Sequence, residues 1–111
     1  MNLGSSSNTC SEEFKGSGAF SEPESRAVRD FILPRKINIA MYISFHSWGQ
    51  MVLYPWGYDS RVRAKDEAEL RRVATAGARA LGGYKVGPAA QVNYEASGAS
   101  DDWAKGEAGG N

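Results

Sequence analysis

The chain has 111 residues, with thirteen basic and thirteen acidic side chains that give a formal net charge of zero. That length is room for one modest domain. The balanced charge favours neither nucleic acid nor an anionic membrane surface, and no apolar run is long enough to span a bilayer. We therefore predict no nucleic-acid partner and no membrane partner, and the sequence makes no prediction of oligomeric state.

Two segments carry the periodicity of amphipathic helices. The first begins at Ser21, which has capping-box spacing to Glu24, and ends at Pro34. The second runs from about Asp66 to Leu81 and is followed by a Gly-Gly pair that favours a helix end. The residues expected to face the core are Ala27, Val28, Phe31 and Ile32 in the first helix, and Leu70, Val73, Ala74, Gly77 and Leu81 in the second.

The central stretch of the chain predicts a strand that leads to the only histidine. Alternate residues from Ile37 to Phe45 are apolar, which is the pattern of a strand with one buried face. His46 follows at its carboxyl end, where ligands collect in open α/β sheets. Alternation of helices and strands predicts an α/β fold, part of a mixed, mostly parallel sheet flanked by helices. The shorter predicted elements are strands at Met51–Tyr54, Tyr84–Val86 and Gln91–Tyr94, and a helix from Ser100 or Asp101 through Trp103.

Three blocks of sequence, in order, resemble the zinc carboxypeptidases of the A/B type. Residues 45–61, FHSWGQMVLYPWGYDSR, are similar to the family's His-Ser-Tyr-x-Gln followed by Tyr-Pro-aromatic-x-Tyr. Residues 93–103, NYEASGASDDW, look like its Tyr-x-Ala-Ser-Gly-x-Ser-x-Asp-Trp. Residues 8–24 resemble its Asn-Pro-Cys-Ser-Glu segment and the Ser-Glu-Pro-Glu start of the next helix. The resemblance covers nearly the whole chain and implies an incomplete zinc carboxypeptidase-like fold that is B-like.

That resemblance implies one zinc ion and the hydrolytic release of C-terminal amino acids from peptides and proteins. His46 matches the family's third zinc ligand, whereas the His-x-x-Glu motif that supplies the other two is absent from residues 1–111. The general-base glutamate is absent too, so this chain contains no catalytic residue. Glu95, Asp101 and Asp102 have no metal-binding spacing to His46. We therefore expect residues 1–111 to be an internal part of a catalytic domain that is inactive alone and binds zinc weakly.

The resemblance also assigns substrate-binding roles. Tyr94 matches a mobile tyrosine that caps the C-terminal residue, while Ser47 and Trp48 would line the cleft, although the family usually has tyrosine in place of Trp48. Asp101 matches the base of the specificity pocket and Ala89 its wall, and an aspartate there accompanies cleavage of C-terminal Lys or Arg. A purely structural role stays open for each of two residues. Tyr94 would be a half-buried aromatic at a strand end, and Asp101 would only cap the last short helix.

Cys10 is the only cysteine, so it cannot form a disulfide within the chain. It is either a free thiol or, as the resemblance implies, half of a disulfide whose partner lies outside this sequence. The resemblance further implies a secreted, extracellular protein, although the first ten residues lack the pattern of a signal peptide. It also implies cis peptide bonds at Ser47-Trp48 and Pro55-Trp56. A second hypothesis is a non-catalytic α/β module that kept the peptide-end pocket and lost zinc.

Overall fold

The computed structural model describes residues 4–109, whose centre is a two-stranded parallel sheet. Its strands are β1, Met51–Tyr54, and β2, Lys85–Pro88. A 3-10 turn follows the first helix and a π-helical turn follows the last. The helical segments are α1 Pro23–Ile32, the 3-10 turn Leu33–Asn38, α2 Glu67–Ala80, α3 Ala89–Val92, α4 Ser100–Trp103 and the π turn Ala104–Ala108. Within this described part of the chain, no helix has the length and apolar character needed to cross a membrane.

The core lies between the sheet and α2. Parallel strands need a long crossover, which α2 supplies between β1 and β2. Val52 lies opposite Val86 in the sheet, and the helix presents the buried side chains of Ala74 and Ala78. Because these side chains are small, the helix axis can approach the strands closely. The predicted α/β class, the parallel pairing and the second helix are therefore confirmed.

Gly77 does not take part in this packing, contrary to its predicted inward position. It is exposed, and a Cβ atom added to it would meet nothing within 4 Å outside the helix itself. Leu81, also expected inside, is 56% exposed. The inward stripe instead passes through Ala74 and Ala78, one turn apart. The Gly-Gly pair does end the helix, with φ of 89° at Gly82 and 95° at Gly83.

We expect Gly77→Ala to stabilise the chain by about 0.5–1 kcal/mol, because alanine restricts the unfolded backbone and meets no obstacle on the exposed side. Ala78→Leu, one residue along, should instead destabilise it by about 1–3 kcal/mol by overpacking the sheet. Urea unfolding of both variants measures these changes. Equal effects of the two substitutions would show that α2 does not pack on the strands through Ala78.

The predicted strand from Ile37 to Phe45 is wrong in this structure. Its first residues belong to the 3-10 turn, and residues 39–46 pair with no other strand among residues 4–109. Ile37 is 89% exposed and Phe45 92% exposed, so the apolar face has nothing to pack on in the described chain. Alternation favours an extended conformation, but a strand also needs a neighbour for its backbone hydrogen bonds.

Other local expectations are also corrected. Of the apolar residues on α1, only Ile32 is buried, and Phe31 is 60% exposed. The predicted capping box at Ser21 is absent, since the Ser21 hydroxyl donates to the neighbouring Glu22 carboxylate at 2.8 Å and the helix has no side-chain cap. Residues 91–94 do not form a strand, because the chain turns into α3 directly after Pro88. The last short helix lies where it is predicted, at Ser100–Trp103.

Candidate functional site

The backbone of Gly57 joins three segments of the chain. Its N–H group donates to both carboxylate oxygens of Asp102, at 2.8 and 3.1 Å, and its carbonyl accepts from the Ala96 N–H at 2.8 Å. The Tyr58 N–H donates to Asp102 as well, at 2.9 Å, and the Ala90 N–H donates to the carbonyl of the residue before Gly57 at 3.1 Å. We call this arrangement the Gly57 junction. It ties the Tyr-Pro-Trp-Gly-Tyr block to the segment that contains the predicted pocket residues.

A second set of hydrogen bonds fixes the same two segments farther along. Glu95 accepts from the backbone N–H of Ser60 at 2.9 Å and from its hydroxyl at 2.5 Å, and Gln91 donates to the Ser60 carbonyl at 2.8 Å. The Ser60 donors hold the pKa of the Glu95 carboxyl below its usual range, because they stabilise the charged form. This carboxylate therefore orders the loop, which leaves Tyr94 at its edge.

The Asp102 carboxylate has an unusual electrostatic setting. Burial raises its pKa, the negative charge of Asp101 adds to the rise, and the hydrogen bonds from Gly57 and Tyr58 oppose it. Because the net direction is upward, the folded chain holds the Asp102 proton to a higher pH than the unfolded chain does. Burial and the Asp101 charge thus outweigh the hydrogen bonds in setting the direction of the pKa shift of Asp102.

This raised pKa predicts a pH dependence of stability. The contribution of Asp102 to the free energy of unfolding should be largest below its unfolded pKa, fall as the pH rises through its folded pKa, and stay constant above that. We expect the stability difference between the wild-type chain and Asp102→Asn to follow this curve between about pH 3 and pH 7, where carboxyl groups titrate. Denaturant unfolding across that range measures it. A difference that grows with rising pH would contradict the prediction.

The predicted pocket residues lie around the Gly57 junction. The Ala89 methyl group is 3.5 Å from the position that a Cβ atom on Gly57 would occupy, and the Asp102 oxygens are 3.6 and 3.7 Å from the same point. Any residue with a Cβ atom at position 57 would therefore place that atom in the space between Ala89 and Asp102. Asp101, half-buried, directly precedes Asp102 in α4, and its carboxylate makes no hydrogen bond or ion pair with the described residues. It does not cap α4, which has no side-chain cap.

Tyr94 lies on the exposed side of the same loop. Its side chain is 65% exposed, and within residues 4–109 its hydroxyl makes no hydrogen bond. The expectation of a half-buried aromatic at a strand end is therefore wrong, since this segment is neither a strand nor half-buried there. A phenol in this position is free to reorient and to donate to a ligand.

His46, Ser47 and Trp48 are all exposed in the described structure. The His46 ring is exposed and its Nε2 is 3.1 Å from the Ser44 hydroxyl, while Trp48 is 95% exposed. No hydrogen bond connects these three residues with residues 89–103 of the described chain. Both cis peptide bonds implied by the resemblance, Ser47-Trp48 and Pro55-Trp56, are present.

The described residues do not fit a complete catalytic zinc site. Such a site uses three protein ligands and one open position. Residues 4–109 contain no group of three or more His, Cys, Asp or Glu side chains placed to hold a metal ion. His46 is thus a single exposed imidazole, which can contribute one ligand at most.

The N-terminal block packs against the other side of the pocket segment. The rings of Phe20 and Trp103 meet edge to face with centroids 5.5 Å apart. Gly4, with φ of 67°, passes so close to Ala96 that an added Cβ atom would be 3.1 Å from the Ala96 Cα atom. All three sequence blocks that carry the resemblance therefore meet around α4 and the loop before it.

Sequence reasoning missed Asp102 and Gly57 as functional-site residues. The sequence assigns Asp102 no role beyond its lack of metal-binding spacing to His46, whereas its carboxylate reaches back to backbone groups 44 and 45 residues earlier. The available signal was its place in the Asp-Trp pair that ends the family pattern. Nothing in the local sequence distinguishes which of the two adjacent aspartates turns towards the Gly57 junction.

Comparison with known proteins agrees with the family resemblance of the three sequence blocks. A family model described as zinc carboxypeptidase matches residues 1–111. Carboxypeptidase B of Bos taurus is 44% identical over 107 residues, which are 92% of this chain and 25% of that protein. Carboxypeptidase B of Astacus astacus is 42% identical over 112 residues, covering 96% of this chain and 37% of that protein. Carboxypeptidase O of Bos taurus is 41% identical over 108 residues, with coverage of 93% and 28%.

Solved structures show the same likeness. Bovine thrombin-activatable fibrinolysis inhibitor, in complex with tick carboxypeptidase inhibitor, superposes with a TM-score of 0.76 at 42% identity, covering 91% of this chain and 36% of that one. A crystal structure of thrombin activatable fibrinolysis inhibitor gives a TM-score of 0.75 at 42% identity, with coverage of 90% and 26%. The chain thus spans between a quarter and two fifths of the proteins it matches.

Proposed function

Because the chain belongs to the zinc carboxypeptidase family, we propose that it serves as part of a zinc metallocarboxypeptidase that releases C-terminal Lys or Arg from peptides and proteins. The family membership rests on the match over residues 1–111 and on relatives above 40% identity. In this proposal the chain supplies one zinc ligand, His46, and the pocket that recognises the last residue of the substrate. The other two zinc ligands and the general base come from outside residues 4–109.

The observation that carries the proposed specificity is the free carboxylate of Asp101. It is half-buried, it has no partner among the described residues, and it directly precedes the residue that anchors the Gly57 junction. A carboxylate that is partly removed from water favours a guanidinium or ammonium group as its partner. Ala89 beside Gly57 keeps the neighbouring wall small, which leaves room for a long basic side chain.

Tyr94, Ser47 and Trp48 complete the proposed substrate contacts. The exposed Tyr94 hydroxyl is free to donate to the substrate's terminal carboxylate or peptide group. Exposed Ser47 and Trp48, next to His46, would contact residues that precede the scissile bond. The large exposed area of Trp48 makes it suited to an apolar contact with a peptide.

The test is a chimaera in which residues 1–111 replace the aligned quarter of bovine carboxypeptidase B. We expect the zinc-loaded chimaera to hydrolyse an N-acylated dipeptide ending in arginine much faster than the same dipeptide ending in phenylalanine. Preference for phenylalanine would overturn the proposed specificity. A folded, zinc-loaded chimaera that hydrolyses neither would favour a non-catalytic peptide-end-binding module.

We also propose that the protein acts outside the cell. Cys10 is exposed and unpaired within the described chain, so it is accessible to a cysteine from another segment. Disulfides persist in oxidising extracellular compartments. Mass spectrometry of the native protein without reduction is expected to find Cys10 in a disulfide, and a free Cys10 thiol would argue against secretion.

A further inference from the structure

The helix that contains Asp101 cannot fix the position of that carboxylate by itself. α4, Ser100–Trp103, continues directly into the π turn Ala104–Ala108, and it has no side-chain cap. A helical run of this combined length is still marginal without outside contacts. Two neighbouring side chains supply such contacts. Trp103 meets Phe20 edge to face, and Asp102 receives three hydrogen bonds from two backbone N–H groups of the Gly57 junction.

Asp102 also fixes the direction in which Asp101 can point. Its oxygens and the Ala89 methyl group flank the same side of Gly57, within 3.7 Å of one point. Adjacent residues on a helix project about 100° apart, so anchoring the Asp102 side chain also fixes the direction in which the Asp101 side chain leaves the helix. The Asp102 anchor therefore sets how Asp101 is aimed relative to the wall formed by Ala89.

We propose that Asp102 is a positioning residue for specificity, which binds the Gly57 and Tyr58 N–H groups and so holds the Asp101 carboxylate where a basic side chain meets it. This inference rests on the proposed function, because it takes Asp101 as the group that recognises Lys or Arg. A carboxylate is required at Asp102 because the Gly57 N–H group donates to both of its oxygens, one of which also accepts from the Tyr58 N–H group. Asparagine has one oxygen, and in either orientation its NH₂ group would face the Gly57 N–H group.

NMR spectroscopy of the full chain, at concentrations where it is monomeric, tests this inference with free arginine and its neutral isostere citrulline as probes. The variants are Asp101→Asn, Asp102→Asn and, as a matched control, Asp30→Asn on the exposed surface of α1. Wild type should bind arginine roughly threefold or more tightly than citrulline, as for a partly exposed ion pair. Asp101→Asn should bind arginine and citrulline equally. Asp102→Asn should bring the ratio of the two affinities close to one although Asp101 is intact, and Asp30→Asn should leave that ratio unchanged.

The amide proton shifts of Gly57 and Tyr58 report the anchor directly. In Asp102→Asn at least one of them should move upfield, since its hydrogen bond to a charged oxygen is lost. If Asp102→Asn fails to fold, the wild-type chain still tests the inference. Arginine should then shift the Gly57 and Tyr58 amide signals together with those of Asp101, and citrulline should shift none of them. The inference would be overturned if the preference for arginine over citrulline is lost in Asp101→Asn but kept in Asp102→Asn. It would also be overturned if arginine shifts the Asp101 signals alone. Either result would leave the proposed function standing. Equal wild-type binding of arginine and citrulline would overturn both.

Discussion

Replacement of Asp101 by isoleucine in the chimaera is expected to reverse the preference for the C-terminal residue, from basic to apolar. Removing one member of a desolvated charge pair costs about 2–5 kcal/mol, which corresponds to roughly a thirty- to several-thousand-fold fall in kcat/KM for the arginine substrate. The phenylalanine substrate should gain, because its ring no longer displaces water from a carboxylate. Steady-state kinetics with the two acylated dipeptides measure both changes.

Two further variants separate charge from shape. Asp101→Asn keeps the size of the side chain and removes its charge, so it should lose the arginine preference without gaining phenylalanine hydrolysis. Asp30→Ile makes the same chemical change as Asp101→Ile on α1, where the carboxylate pairs with Arg29 at 2.7 Å on the surface, and should leave the preference unchanged. An unaltered preference in Asp101→Ile would show that this residue has no contact with the substrate.

The sequence predicts those parts of the fold that depend on local pattern. The second helix, both strands of the parallel pair and the glycines at the end of α2 follow from periodicity and turn chemistry. The stretch from Ile37 to Phe45 shows where pattern fails. Its alternation describes one strand, but strand formation also needs a hydrogen-bonding neighbour, and none is present among residues 4–109. The same dependence on distant partners explains why Phe31 is exposed although a helix is predicted there and is present.

The sequence predicts the candidate site to the level of motifs but not of contacts. The resemblance located Ala89, Tyr94 and Asp101 in one region, and the structure brings their segment against Gly57. It could not reveal that the neighbouring Asp102 makes the long-range hydrogen bonds, because adjacent aspartates are chemically identical and only the tertiary fold decides which one is turned inward. Under the proposed function the anchoring residue, Asp102, lies directly beside the recognising residue, Asp101, and the local sequence favours a helix-end role for either one.

His46→Ala is expected to remove zinc and hydrolytic activity from the chimaera. The loss should be nearly complete, because a catalytic zinc site depends on all three of its protein ligands. The change should leave the fold intact, since the His46 ring is exposed and its one hydrogen-bond contact is with the Ser44 hydroxyl at 3.1 Å. Ser44→Ala is the matched control, because it removes that contact and keeps the imidazole. Metal content, thermal unfolding and arginine release measured together distinguish loss of the ligand from loss of the fold.

In the isolated chain, His46→Ala should have almost no effect on zinc affinity. Residues 4–109 hold no cluster of three metal-binding side chains, so His46 acts there as a lone exposed imidazole. Calorimetry should therefore find weak zinc binding of similar size in the wild-type chain and in His46→Ala. Tight binding of one zinc ion that disappears with the substitution would mean that this chain assembles ligands of its own. Zinc retained by the chimaera after His46→Ala would instead show that His46 is not a zinc ligand. The calorimetry and the chimaera together therefore decide whether one residue of this chain, several, or none holds the metal.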